Sequence, residues 1–273
     1  MKLSCLPVSF FADITSGKMS VAEWARMGAG LKLDAVDLSI LFLPERSVKA
    51  AETIRRQVKA EGTSITMLTT YPDFTHPDPA QRKKELEKEI EAVHLAAALG
   101  AQFVRVTAGQ AHPETSIKDG IIWAADGLSR LVEATGNMGV QLAYENHAKP
   151  SPWEYTDFSQ PPEIFLEILS RVPSPLLGVN FDTGNATAFT TDPIAFLEQI
   201  VGRVVSIHAS DTSERGRLNH VLLGTGVTPF RALFRSFRSS GWDGWICMEE
   251  ASGLGRAGIK AAANTIRRFW AEI

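Results

Sequence analysis

Short apolar runs alternate with amphipathic stretches along the whole of this 273-residue chain. Eight of the runs have strand length: Leu3–Phe10, Ala35–Ile40, Ser64–Thr69, Phe103–Thr107, Val140–Asn146, Leu176–Asp182, Val204–His208 and Trp245–Glu249. Most lack the apolar–polar alternation of a half-exposed sheet and read as continuous hydrophobic segments, the pattern of parallel strands covered on both faces. Val104-Arg105-Val106 is a mild exception.

The segments between these runs carry helical periodicity and helix-end chemistry. Asp78-Pro79 supplies a side-chain acceptor and a residue whose missing N–H costs nothing in a first turn. Leu86, Ile90, Val93 and Ala97 then follow at spacings of 4, 3 and 4, giving one apolar stripe, and Gly100 closes the helix. Asp192-Pro193 and Thr228-Pro229 repeat the opening, Gln160-Pro161-Pro162 starts a further helix, and Ser20 with Glu23 has the spacing of a capping box. The charge run Arg82–Glu89 alternates in sign and reads as a solvated helix face. Eight strand–helix units with no linker or low-complexity tract predict one (β/α)₈ TIM barrel domain over residues 1–273. A doubly wound open sheet is the alternative, and it uses fewer strands.

Composition adds mainly exclusions. A hydrophobic fraction of 44% supports a full core, and a net charge of −3 gives no global attraction to nucleic acid or anionic membrane. Two cysteines are too few for a disulfide framework, and no apolar run approaches a membrane span. Pro7 and Asp13 interrupt the short N-terminal apolar stretch before a signal core forms. The expectation is a cytoplasmic protein that acts on a small molecule, with no nucleic-acid or membrane partner; a homo-oligomer is compatible with the sequence.

Four ionisable residues close four successive strands: Glu145, Asp182, His208 and Glu249. In a closed barrel consecutive strand ends are neighbours, and the catalytic face lies at their C-terminal ends. One such carboxylate alone is more often a helix cap, and one such histidine a core residue. Three carboxylates gathered there require a compensating cation. Three carboxylates and an imidazole favour Mn²⁺ or Mg²⁺, while Co²⁺, Fe²⁺ or Zn²⁺ remain compatible. Glu250 competes with Glu249 for the last place; Glu249 directly ends the apolar run.

The series Tyr144-Glu145-Asn146-His147, Asn180-Phe181-Asp182-Thr183-Gly184-Asn185, Ile207-His208-Ala209-Ser210-Asp211 and Met248-Glu249 resembles the xylose isomerase-like sugar isomerase/epimerase superfamily, in its ketose epimerase branch. The resemblance covers essentially the whole chain. It implies that Glu145, Asp182, His208 and Glu249 bind one divalent metal, with Glu145 and Glu249 as the acid/base pair. The implied reaction is proton abstraction beside a sugar carbonyl, with the developing enediolate charge taken up at the metal. It also places a substrate-binding arginine after the seventh strand, where Arg217 stands. His147 and His220 can donate to sugar hydroxyls, and Trp153, in the long loop after the fifth strand, can wall a sugar face. Where relatives often carry a histidine, this chain has Asn185, which alters substrate recognition at that point.

Three rival functions follow from the same residues. A metal-dependent lyase on keto-sugars or keto-glycosides would share the first proton abstraction. An apurinic endonuclease would need three metals, many more histidines and basic loops; only His76, His94, His112, His147, His208 and His220 are present. A non-catalytic sugar-binding barrel has no need of all four ligands. Gly253-Leu254-Gly255-Arg256-Ala257-Gly258 matches a dinucleotide fingerprint, but too little chain follows for the second half of that unit, so it reads first as a tight turn and second as an anion held by helix N–H groups.

Overall fold

The computed structural model describes residues 1–150 and 152–273. Its strands are β1 (Lys2–Leu6), β2 (Val36–Ser39), β3 (Ile65–Thr69), β4 (Phe103–Val106), β5 (Gln141–Glu145), β6 (Leu177–Asp182), β7 (Val204–Ala209) and β8 (Trp245–Glu249). All are parallel, in the order β1-β8-β7-β6-β5-β4-β3-β2, with helices between them. This is a nearly closed TIM barrel. The joint between β1 and β2 has no strand ladder among the described residues. It is fastened instead by Asp34, whose N–H donates to the Leu3 carbonyl (2.8 Å) while its side chain accepts from the Leu3 N–H (2.8 Å). Ser4 donates to Asp37 across the same joint at 2.6 Å.

Alternation along each strand divides the side chains between barrel interior and helix layer. Outward-facing Tyr144 stacks on Phe165 with ring centroids 4.5 Å apart, and Phe181 packs between Phe196 and Phe237. Inward-facing residues form layers. Ala35, Met67, Phe103, Trp245 and Cys247 make a separate apolar plug near the strand starts. Further along the strands lie Ser4, Asp37, Asn180 and Ser206, where the Ser206 hydroxyl donates to the Asn180 side-chain oxygen Oδ1 at 2.7 Å. The polar strand ends come last. A residue two positions before each candidate ligand therefore already faces inward, which aims the ligands at the mouth.

The helix-end chemistry behaves as the sequence predicts in most places. Asp78 accepts from Ala80 N–H, Asp192 from Ile194 and Ala195, and Ser20 and Glu23 form the reciprocal capping box. Gly100 ends its helix in the left-handed region, at φ 74°. Two expectations need correction. β1 stops at Leu6 rather than Phe10, because Pro7 has no N–H to continue a ladder; the chain turns into short helices over Val8–Phe10 and Phe11–Thr15, and Ser9 N–H bonds the Glu250 carbonyl. The helix after Thr228-Pro229 begins at Phe230 without a side-chain cap, and the Thr228 hydroxyl is left without a partner. The charge run also departs from its solvated reading at one position. Glu89 is 4% exposed, because the buried face of the helix Pro79–Leu99 runs through Leu86, Glu89, Ala92, Val93 and Ala96.

Candidate metal centre

Glu145, Asp182 and His208 are fully buried at the ends of β5, β6 and β7, and a ligand atom of each lies within 4.8 Å of the others. Asp182 and His208 sit directly opposite each other in the ladder. His208 Nδ1 is 3.3 Å from Glu145 Oε1 and 3.3 Å from Glu249 Oε1, so its ring links both glutamates. Glu249 keeps a small exposure of its side chain (13%) towards the cleft above, whereas Glu145 has none.

Each side chain is held by a second set of bonds. Asp182 Oδ1 caps the short helix Thr183–Phe189 by accepting from Asn185 N–H (2.6 Å) and also accepts from the Ser210 hydroxyl (2.8 Å). The Asn146 amide donates to the Asp182 carbonyl and accepts from the Asp182 N–H, pinning β5 to β6. Arg105, interior on β4 and 1% exposed, places its Nε 2.9 Å from Glu145 Oε2. Its Nη1 donates to the Thr70 carbonyl at 2.8 Å, and its guanidinium lies 4.7 Å from the Tyr71 ring centre. In the sequence Arg105 shows only as a break in an apolar run. Its signal was there, as a lone cation inside an apolar strand, which is affordable only beside an opposite charge.

The electrostatics follow from packing these charges together. Burial, then the nearby carboxylates of Glu145 and Glu249, push the Asp182 carboxyl well above its ordinary range. Burial alone would raise Glu145, but the fields of His208 and Arg105 hold it below its ordinary value, and His208 does the same for Glu249. Burial alone would lower His208, yet Glu145 and Glu249 carry it well upward. Buried Asp182 Oδ2 and the ring nitrogen His208 Nε2 make no hydrogen bond, while Glu145 Oε2 meets Arg105 as an ion pair. Crowded, mutually repelling carboxylates with uncommitted buried atoms are the donor set that a divalent cation satisfies, so the residues fit such an ion.

Glu250 is committed elsewhere. It accepts from Ser9 Oγ at 2.5 Å and from Ser252 N–H at 3.0 Å and Ser252 Oγ, which locks the end of β8 to the loop after β1. Gly258 makes room for this: a Cβ there would stand 2.7 Å from Glu250 Oε1 and 2.8 Å from Ser252 Oγ. The glycine-rich segment is thus the turn into the last helix, Gly255–Ala271.

A cleft of about 500 Å³ opens over the centre, and Glu249, Arg105, Tyr71, His147, Asn185 and His220 all line it. His147 is nearly buried, its Nδ1 makes no hydrogen bond, and burial lowers its pKa to about 4, so the ring is neutral. Trp153 is buried edge-on to His147, with ring centroids 6.5 Å apart. Arg217 does not line the cleft: its side chain is exposed, and its backbone carbonyl accepts from Thr212. Trp123 lies outside the mouth under Arg82, and Phe74 and Phe158 fill the core against Gly127 and Gly120. His112 is occupied by Asp73 (2.8 Å), and His94 is exposed on its helix.

Comparison with known proteins gives the same architecture. An uncharacterized protein of Methanocaldococcus jannaschii is 29% identical over 217 residues, covering 76% of this chain and 70% of that one. The L-ribulose-5-phosphate 3-epimerase UlaE of Shigella flexneri is 25% identical over 242 residues, covering 89% and 76%. Among solved structures, an L-ribulose 3-epimerase superposes with a TM-score of 0.83 at 15% identity, covering 100% of this chain and 95% of that one. The IOLI protein with a zinc atom gives 0.82 at 16%, covering 100% and 99%. The 3-keto-D-glucoside 4-epimerase of E. coli gives 0.79 at 15%, covering 98% and 99%. A sequence model of the family matches residues 25–269, and the chain belongs to the xylose isomerase-like TIM barrels.

Proposed function

We propose that this protein is a metal-dependent epimerase or isomerase of sugars that moves a proton on a carbon beside a carbonyl. The observation that carries the reading is the gathering of Glu145, Asp182 and His208 within 4.8 Å, with Glu249 in contact with His208, under a cleft of sugar-binding size. Glu145, Asp182, His208 and Glu249 would hold the ion. When bound, a divalent cation supplies Lewis-acid stabilisation of negative charge developing on the substrate's oxygens. Mn²⁺ and Mg²⁺ suit the three carboxylates, and the zinc atom in the IOLI protein shows that a neighbour of this fold takes a divalent ion.

The chain's own residues account for the proton. Glu249, partly open to the cleft and held ionised by His208, is the base that reaches the substrate carbon, and Glu145 is the second carboxylate of the pair. Arg105 fixes the orientation of Glu145. Neutral His147, with an uncommitted ring nitrogen, and Asn185 offer hydrogen bonds to hydroxyls. His220 and Trp153 complete the polar rim and apolar support, and Arg217 would join them only by a movement of its exposed loop.

Incubation with ketoses and keto-sugars in D₂O with Mn²⁺, followed by NMR, tests the reading. Deuterium should appear at a carbon adjacent to a carbonyl, together with the epimer or isomer. Glu145→Gln and Glu249→Gln should fold and each lose on the order of 10²-fold or more in turnover, the usual scale of a lost acid or base. Wild-type rates in both variants would remove these roles. A double bond or expelled group in place of an epimer would reassign the protein as a lyase.

A further inference from the structure

A second cleft of about 370 Å³ opens beside the first at the same end of the barrel, between the loops after β2 to β5 and the helix Pro79–Leu99. Tyr71 lines both spaces. The loop after β5 reaches both as well, with Pro150 in the first and Pro152 and Trp153 in the second. Tyr71 is a fixed partition: its hydroxyl is 3.2 Å from Ser39 Oγ and its ring lies over Arg105. Together the two spaces approach the upper end of the roughly 300–1,000 Å³ usual for small-molecule sites, more than one six-carbon sugar fills.

The walls of the second cleft identify what suits it. Trp153 and Tyr71 offer aromatic surface, and Gln110, Thr70 and Glu89 offer hydrogen-bonding groups. Glu89 is 4% exposed and makes no ion pair among the described residues; Thr70 Oγ donates to it at 2.5 Å. Burial raises its pKa to about 8, so near neutral pH it is a carboxylic acid able both to donate and to accept. The charged residues on the rim are largely spent on each other. Lys88 pairs with Glu85 at 2.6 Å, and Asp73 is held by Gln110 and His112. A phosphate or carboxylate would call for converging unpaired cations, and here only exposed Arg46 offers one. Aromatic faces with neutral donors and acceptors suit an uncharged, polyhydroxylated ring.

We propose that this second cleft is a subsite for another sugar ring, straddled by the substrate across Tyr71, so that the preferred substrates are keto-glycosides rather than free ketoses. The subsite rests on the reaction assigned above only for the word "substrate"; its binding can be measured without turnover.

The test uses the full-length protein with Mn²⁺ and calorimetric titration of non-reducing probes: methyl glucoside against methyl cellobioside, sucrose and trehalose. At least one disaccharide should bind about 10-fold or more tightly than methyl glucoside, the worth of one or two additional net hydrogen bonds. Glu89→Leu should abolish that preference while Glu89→Gln, which keeps a donor and an acceptor, retains it. Deuterium exchange on 3-keto-glucose and its glucosides should show the same preference in kcat/KM, narrowed in Glu89→Leu and kept in Glu89→Gln. Equal binding of methyl glucoside and all three disaccharides, or an undiminished preference in Glu89→Leu, would overturn the subsite. A disaccharide preference without exchange on any keto-sugar would support the subsite and overturn the proposed reaction instead.

Discussion

Glu89→Gln should stabilise the protein, and increasingly so as pH rises. In the folded chain Glu89 is buried without a cationic partner, and burial lifts its pKa from 4.5 to about 8 against the opposing effects of the Thr70 hydrogen bond and the field of Arg105. The folded state therefore holds a proton that the unfolded chain releases across that window. Stability contributed by this group is complete below the unfolded pKa and is lost as pH rises through the folded one. At about 1.36 kcal/mol per pH unit, a difference of about 3.5 units sets a ceiling of about 5 kcal/mol. Glu89 borders a cleft, so water relieves part of this, and an effect of about 2–3 kcal/mol by pH 7–8 is expected. Urea unfolding of both proteins at pH 5, 6, 7 and 8, with metal content held constant, measures it directly. The two stability profiles should nearly meet at pH 5 and separate steadily above it. Parallel profiles would refute the claim that Glu89 is folded in as an acid.

Arg105→Met should cost about 3 kcal/mol in urea unfolding, because it removes one of the two cationic partners of buried Glu145 and leaves His208 alone to offset it, and Arg105→Lys should recover part of the loss. Chelation should lower Tm as well as activity: an ion at 100 times its Kd adds about 2.7 kcal/mol, roughly 5–10 °C for a chain of this size, and a Tm indifferent to chelator and added Mn²⁺ would argue against the metal centre. Gly258→Ala, which by helix propensity alone would gain about 1 kcal/mol, should instead destabilise by about 1–3 kcal/mol in the same assay, since its methyl would meet Glu250 and Ser252.

The strands were legible because parallel strands buried on both faces leave continuous apolar runs, and all eight lie where such runs occur. The shared inward face of Glu145, Asp182, His208 and Glu249 was legible because a two-residue period carries Ala143 to Glu145, Asn180 to Asp182, Ser206 to His208 and Cys247 to Glu249. What escaped the sequence was decided by partners remote in the chain. Arg105 looks like a flaw in β4 until Glu145, forty positions on, lies against it. Glu89 looks like one more surface charge until the helix is seen to turn it inward onto Thr70. Glu249 and Glu250 are adjacent and chemically identical, and only the contact with His208 on one side and with Ser9 and Ser252 on the other tells them apart. The end of β1 was overread because Val8, Phe10 and Phe11 are as apolar as a strand, while their backbone has no ladder to join.

Among the described residues, the one joint of the barrel without a ladder, between β1 and β2, falls outside the run β5 to β8 that carries the candidate ligands. A sheet gives way first where its backbone groups are least paired. Transient gaping of this barrel would accordingly begin at the Asp34 and Ser4–Asp37 fastenings, with the ligand-bearing half still closed. Opening there would leave intact the ladders that join β5 to β6, β6 to β7 and β7 to β8.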